Sequence, residues 1–467
     1  MALGRDARGE PLFAVHDEAE VADALVKAME QNVDEARRLS QPTMAGAAFR
    51  EEVRRRVTDP GDPRAVGWTF LINEDDPRRD EYSEALRPLA EHRGMADPAT
   101  PLSYRGETAD EWFDWLHDEY YALDLAGKQV PHYILLVGDP AMIPFRFQSL
   151  LDAVANVGRV DFEEVDDLRT YVEKVIRLES APVPVVDRTA VFFGPDGGMR
   201  DPTFFSRKYM VEPLAEHVRE HHGIEVELLV DKDATKDRLT EALTDRKPAL
   251  VYTASHGLGA IDETANVQKR LNGAICCQRT GLEPFEDLFT ADDVPVDVAF
   301  HEGAVFFQFA CFGYGTPAES DYAHWLGAVP ERYTDVDFVA ALPKRLLAHP
   351  RGPVGYVGHL DTAFLHGFAD VEAPHTLERW HTRIAPFKMA VDDLLGVQPS
   401  GIALNSMNAR YGVCNMLITN TYDQERRGRL EWTPQLKARF LDNWIERGDA
   451  QNYMVLGDPA ARLRLPS

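Results

Sequence analysis

Two strongly apolar runs in this chain end in residues able to do chemistry. "ALVYTAS" (249–255) runs directly into His256 and Gly257, and "AVFFQFA" (304–310) runs into Cys311. A cysteine kept for packing falls inside such a run, whereas one at its end stands where the chain first reaches solvent. A thiol is only a few per cent thiolate near neutrality, and an adjacent imidazole raises its reactivity by collecting the proton. The same imidazole can then protonate a leaving amine. Gly257, lacking Cβ, lets backbone approach a substrate carbonyl closely. The amides of Gly257 and Cys311 are candidates for an oxyanion hole, each donor lowering the barrier by roughly 3–4 kcal/mol. Gly313 and Gly315 keep the loop beyond the cysteine low and open. The chemistry these residues suit is acyl transfer from a carbonyl to a thiol, with Cys311 as nucleophile and His256 as acid and base.

For that chemistry the two run ends must meet. From residue 66 onward, short apolar runs alternate with amphipathic stretches. "VGWTFLI" (66–72), "HYILLVGD" (132–139), "TAVFFG" (189–194), "IEVELLV" (224–230) and "PVGYVG" (353–358) join the two runs above as expected strands. Helical patterns such as "YSEALRPLAEHRG" and "DLRTYVEKVIRLES" lie between them. Near-continuous apolar strands separated by helices predict an α/β fold with a mostly parallel sheet covered by helices on both faces. In such sheets ligands bind beyond the carboxyl ends of strands. If the strands before His256 and Cys311 are neighbours, both side chains emerge from one edge.

The chain's 467 residues are too many for one core. Residues 1–60 read as a helical N-terminal extension, 61–182 as a first α/β subdomain and 183–467 as a second, catalytic one. The proline-bearing "SAPVPVVD" (180–187) marks the seam. Gly-Asp-Pro follows an apolar strand twice, in "LLVGDP" and "VLGDP", as a strand-ending turn used twice.

With 77 acidic against 50 basic residues the formal charge is −27, which argues against nucleic-acid or anionic-membrane partners. No run approaches the roughly 18 apolar residues of a membrane span. Neither a secretory-signal layout nor a disulfide framework is evident among the four cysteines, so a cytoplasmic location is expected. Cys276, Cys277 and Cys414 read as buried small hydrophobes. His221, His222, His359 and His366 lack zinc-site spacing and there is no HExxH, so no metal or other cofactor is expected; calcium stays open as a possibility that no calcium-loop motif supports. No phosphate-binding glycine motif occurs.

Gln308-Phe309-Ala310-Cys311-Phe312-Gly313 resembles the Gln-Ala-Cys-x-Gly block of caspases, where the histidine also lies about 50 residues upstream. The chain thus resembles the caspase-like (clan CD) cysteine peptidases. Within them it is most similar to the gingipain type, which also matches "YILLVGDPAMIPF", "VGRVDFEEVDDLRTYVEKVIRLE" and "VLGDPAARL". The resemblance implies two stacked α/β subdomains with catalysis in the second. It places Asp196 of "VFFGPDGG" as the acid orienting His256, although the family carries Glu there; a turn residue is the alternative. It also points to Asp201 and Asp361 as walls of a substrate pocket selecting Arg or Lys before the scissile bond, again with structural turns as the alternative.

The expected function is an intracellular cysteine endopeptidase acting on protein or peptide substrates. Control by processing or by an activating protein partner is expected, and a bacterial defence or cell-death pathway is one setting the resemblance suggests. The alternative is a catalytically silent caspase-like scaffold that binds peptides or partners.

Overall fold

The apolar runs become strands because they are short, rich in β-branched and aromatic residues, and closed by turn residues. A computed structural model describes residues 3–7, 10, 18–31, 59–106, 108–280, 286–322, 332–369 and 382–466. In chain order its strands are β1 (Gly4–Arg5), β2 (Trp68–Asn73), β3 (Leu102–Tyr104), β4 (Tyr133–Val137), β5 (Asn156–Val160), β6 (Thr189–Gly194), β7 (Glu225–Val230) and β8 (Leu250–Ala254). There follow β9 (His256–Leu258), β10 (Ile275–Cys276), β11 (Leu288–Phe289), β12 (Val305–Phe309), β13 (Gly315–Thr316), β14 (Phe338–Val339), β15 (Gly355–His359) and β16 (Tyr453–Leu456).

Ten of these form one sheet in the order β3-β2-β4-β5-β16-β15-β12-β8-β6-β7. Strands β3 to β16 in that order are mutually parallel, and so are β15 to β7. The two blocks meet at an antiparallel β15–β16 ladder. The expected α/β sheet is therefore present, with its two halves joined edge to edge in a continuous sheet. The chain crosses between them through 181–188, and then returns its last strand, β16, to the first half beside β5.

Both faces of the sheet are covered, which is why its strands read as unbroken apolar runs. Along β4, Tyr133, Leu135 and Val137 join the cluster holding Leu86, Leu89, Val172 and Val175 of two helices. Ile134 and Leu136 point the other way, into a cluster with Trp115, Phe147 and Leu151. The repeated Gly-Asp-Pro turns close β4 and β16, with φ of 114° at Gly138 and 107° at Gly457, a region that favours glycine. Strand β5 escapes the apolar pattern because it carries a fully buried Arg159. Its guanidinium donates to Gln148 Oε1 and to the carbonyls of Gly138 and Ile143, so the charge is enclosed but solvated by protein.

Of the expected helical extension, the described residues include β1 and the helix Glu18–Gln31. That helix buries Val21, Ala22 and Leu25 and pairs Asp23 with Lys437 of the helix Pro434–Gln451, so it packs on an element of the second half of the chain. No helix among the described residues is long and apolar enough to cross a membrane.

A buried ion network ties helices to the end of β16. Arg93 donates to Asp458 Oδ2 at 2.7 Å and to both Glu179 oxygens at 2.6 and 2.8 Å. Replacing Arg93 with alanine removes the cation from the fully buried Asp458 and the part-buried Glu179 and should cost about 3–5 kcal/mol, read from the denaturant midpoint at neutral pH. Burial pushes the Glu179 pKa up, but Arg93 and His92 overcome this and hold it at about 2, below its ordinary 4.5. The stabilisation is therefore present above 4.5 and lost as pH falls toward 2, and the gap between wild type and variant should narrow over that interval.

Candidate active site

Strands β8 and β12 are neighbours in parallel register, Ala254 opposite Phe309. His256 and Cys311 therefore leave the sheet at the same edge, two residues beyond a shared rung. Past Ala254 the chain bends into β9, the inner strand of a small sheet ordered β1-β9-β10-β11. Contact between the two departing segments is so close that a Cβ on Gly257 would lie 1.8 Å from the Cys311 carbonyl oxygen. Only glycine fits there. Beyond the cysteine, Phe312 has φ of 58° and donates its N–H to the carbonyl of Asp361, itself at φ 62°. Two non-glycine residues held in the left-handed region thus lock the cysteine loop to the loop after β15, a strain of the kind that gathers at functional sites. From that second loop the Ala363 N–H reaches the Cys311 sulfur at 3.2 Å.

The N–H groups of Gly257 and Cys311 point at one acceptor. Both donate to the carbonyl oxygen of Leu3, at 3.0 and 3.3 Å. This is the two-donor geometry that an oxyanion hole needs.

The carboxylate that meets His256 is Asp201, with 2.9 Å between Oδ1 and Nε2. Asp196, expected in that role, lies in a turn: its carboxylate accepts from Gly198 N–H and from Arg207 Nε, and its backbone is clasped by Gln278. Asp201 stands five residues later, where its side chain caps the short helix Pro202–Ser206 by accepting from Thr203 N–H. Gly197 makes room for it, since a Cβ at Gly197 would sit 2.4 Å from the Asp201 carboxyl carbon. Gly197 is thus explained by the acid it admits, whereas Gly198, at φ 91°, serves the turn in which the Asp196 carboxylate accepts its N–H. An Asp-Pro-Thr helix start was legible as a cap signature; nothing in it revealed the histidine.

Asp201 therefore does not stand free as a pocket wall. Its second oxygen holds the guanidinium of Arg5 at 2.7 Å. Asp361 is enclosed as well: it accepts from Ser320 Oγ, Asp321 N–H and Thr362 N–H. Burial pushes its pKa up to about 6. Neither expected pocket carboxylate presents an unengaged oxygen to an arriving Arg or Lys before the scissile bond.

Burial opposes charge throughout the site. It pushes the Cys311 thiol well above the ordinary range. It lowers His256, against the pull of Asp201, while the nearby Leu3 backbone favours the protonated ring. Burial also works against the Asp201 carboxylate, but bonds from His256 and Thr203 hold it well below the usual carboxylate range. Nδ1 of His256 is buried and has no hydrogen-bond partner within bonding geometry, with the Leu3 backbone near the ring. A recess bordered by His256 is lined by Arg5, Asp196, Thr203, Cys276, Cys277 and Gln278; Cys311 is not among its lining residues. Cys276, Cys277 and Cys414 are buried free thiols. Away from the strand ends, His217, His222 and Asp392 bring three possible metal-ligating atoms within 4.8 Å of one another, a group no spacing motif announced.

No family profile matches the sequence, and no curated protein does. Solved structures do. The fold is similar to that of gingipain R. The arginine-specific cysteine proteinase gingipain R (RgpB) aligns over 87% of this chain and 80% of its own, at 11% identity and a TM-score of 0.42. The complex of the Porphyromonas gingivalis RgpB pro- and mature domains aligns over 85% and 80%, at 12% identity and 0.45. A structure described as a protease aligns over 85% and 78%, at 12% identity and 0.47. The likeness concerns the path of the chain.

Proposed function

We propose that this chain is a cysteine endopeptidase in which Cys311 attacks, His256 moves the proton and Asp201 holds the imidazole. The observation that carries this reading is the convergence of the Gly257 and Cys311 N–H groups on one carbonyl oxygen, beside a histidine already oriented by a carboxylate. In the proposed sequence, Cys311 gives its thiol proton to His256 Nδ1 as Sγ adds to the substrate carbonyl carbon, while the two N–H groups hold the developing oxyanion. His256 Nδ1 delivers a proton to the departing amine as the C–N bond breaks. Asp201, on Nε2, stabilises the imidazolium that forms on the way. A water deprotonated by the same ring then releases the acyl group and restores the thiol.

One observation favours the silent-scaffold reading instead: Cys311 is fully buried and its thiol is held neutral. Leu3 covers the two backbone donors, while the sulfur itself is met by the N–H and carbonyl of Ala363. Peptides in extended form are the substrates that suit a site built from strand ends and backbone donors. Exposure of a denatured protein mixture to the enzyme, with new amino termini identified by mass spectrometry, tests the reading. An endopeptidase produces new termini that vanish with His256→Ala; a scaffold produces none from either protein, even after the covering segment has been displaced.

A further inference from the structure

The carbonyl in the candidate oxyanion hole belongs to the chain itself, and its surroundings are ordered on both sides. Before it, the Leu3 N–H donates to Ala363 O at 2.8 Å, and the leucine residue is fully buried within the main apolar cluster. After it, Gly4 and Arg5 run as β1 parallel to β9, Gly4 opposite Gly257 and Arg5 opposite Leu258. The Arg5 carbonyl accepts from Gly259 N–H at 2.8 Å, and its guanidinium lies on Asp201. Backbone pairing on each side, a buried side chain before the carbonyl and an ion pair two residues beyond it are how an extended peptide is gripped across the bond to be cut.

We propose that Leu3–Arg5 lies in the cleft as a tethered, substrate-like occupant. It closes the site, and it displays the sequence the site prefers: a leucine-sized apolar residue before the scissile bond, glycine after it and a basic residue next. The second half of the proposal rests on the peptidase reading; the first does not. Asp201 then has two duties, orienting His256 and receiving a cation on the leaving-group side. The acid expected to select Arg or Lys before the bond selects it on the far side.

Two measurements separate the halves. Alkylation of Cys311 by iodoacetamide in the native protein, followed by peptide mapping, reads closure without catalysis. Leu3→Asp and Arg5→Glu should each raise the Cys311 alkylation rate at least about tenfold over wild type, with thermal unfolding little changed. Equal rates in all three proteins would overturn closure. Cleavage of internally quenched peptides by Leu3→Asp reads preference. A peptide containing Ala-Leu-Gly-Arg-Asp should be cut at Leu-Gly at least about tenfold faster than one containing Ala-Arg-Gly-Arg-Asp. It should also be cut several-fold faster than one containing Ala-Leu-Gly-Glu-Asp. Faster cutting after arginine would overturn the preference. An opened variant that cuts no peptide would overturn both the peptidase reading and the preference, while the alkylation result still decides closure.

Discussion

Replacing Cys311 with alanine should lower kcat for peptide hydrolysis by about 10⁵-fold or more, because no other group in the site can form the acyl bond. Cys276 and Cys277 do not substitute for it: both are buried, with thiols pushed up by that burial. His256→Ala should fall almost as far, and the double variant hardly further, since nucleophile and proton carrier act as a unit. That non-additivity is the informative part. If the two losses multiplied instead, the residues would be acting separately and the shared-site account would fail. The comparison belongs in the Leu3→Asp background, where the cleft is expected to stand open and a low starting rate cannot hide the effect.

The second large effect lies at Asp201. Asp201→Asn keeps a side chain able to cap the helix Pro202–Ser206, because asparagine and aspartate cap about equally well. It removes the negative charge beside His256 Nε2. A loss of about 10³–10⁴-fold in kcat is expected, as when the acid of a triad becomes an amide. Asp196→Asn, altering only a turn and the Arg207 pair, should stay within a few-fold of wild type. A pH profile distinguishes mechanism from mere damage. The Asp201 carboxylate raises the imidazole pKa against the lowering by burial, so its removal should move the limb governed by protonated His256 to lower pH. A loss of rate with that limb unmoved, or equal losses at Asp196 and Asp201, would assign the orienting role elsewhere.

How far the sequence revealed these features depends on how local each signal is. Strands β8 and β12 were legible because burial on both faces makes them uninterrupted apolar runs, and the reactive residues were conspicuous where those runs stop. Strand β5 was not recognised, because Asn156, Gly158 and a buried Arg159 break the run, and an arginine solvated by three acceptors outside its own strand looks like surface. The edge-to-edge joining of the halves was likewise hidden, since the pairing of β16 with β5 links residues some 300 apart. Asp196 and Asp201 could not be told apart by position alone. The choice depends on which carboxylate reaches across a space that only a glycine at 197 leaves free. Leu3 gave no sign at all. Its importance comes from one carbonyl oxygen meeting two amides more than 250 residues away, and sequence pattern records side chains, whereas this contact is made by backbone.

The most direct test of the account is covalent trapping. The Leu3→Asp protein is treated with peptidyl acyloxymethyl ketones bearing leucine or arginine beside the reactive carbon, and every cysteine is then mapped by mass spectrometry. A single adduct on Cys311 that disappears with His256→Ala is the result predicted. An unlabelled Cys311, whether the reagent goes to Cys276, Cys277 or Cys414 or nowhere, would contradict the assignment of the nucleophile and the enzyme built around it.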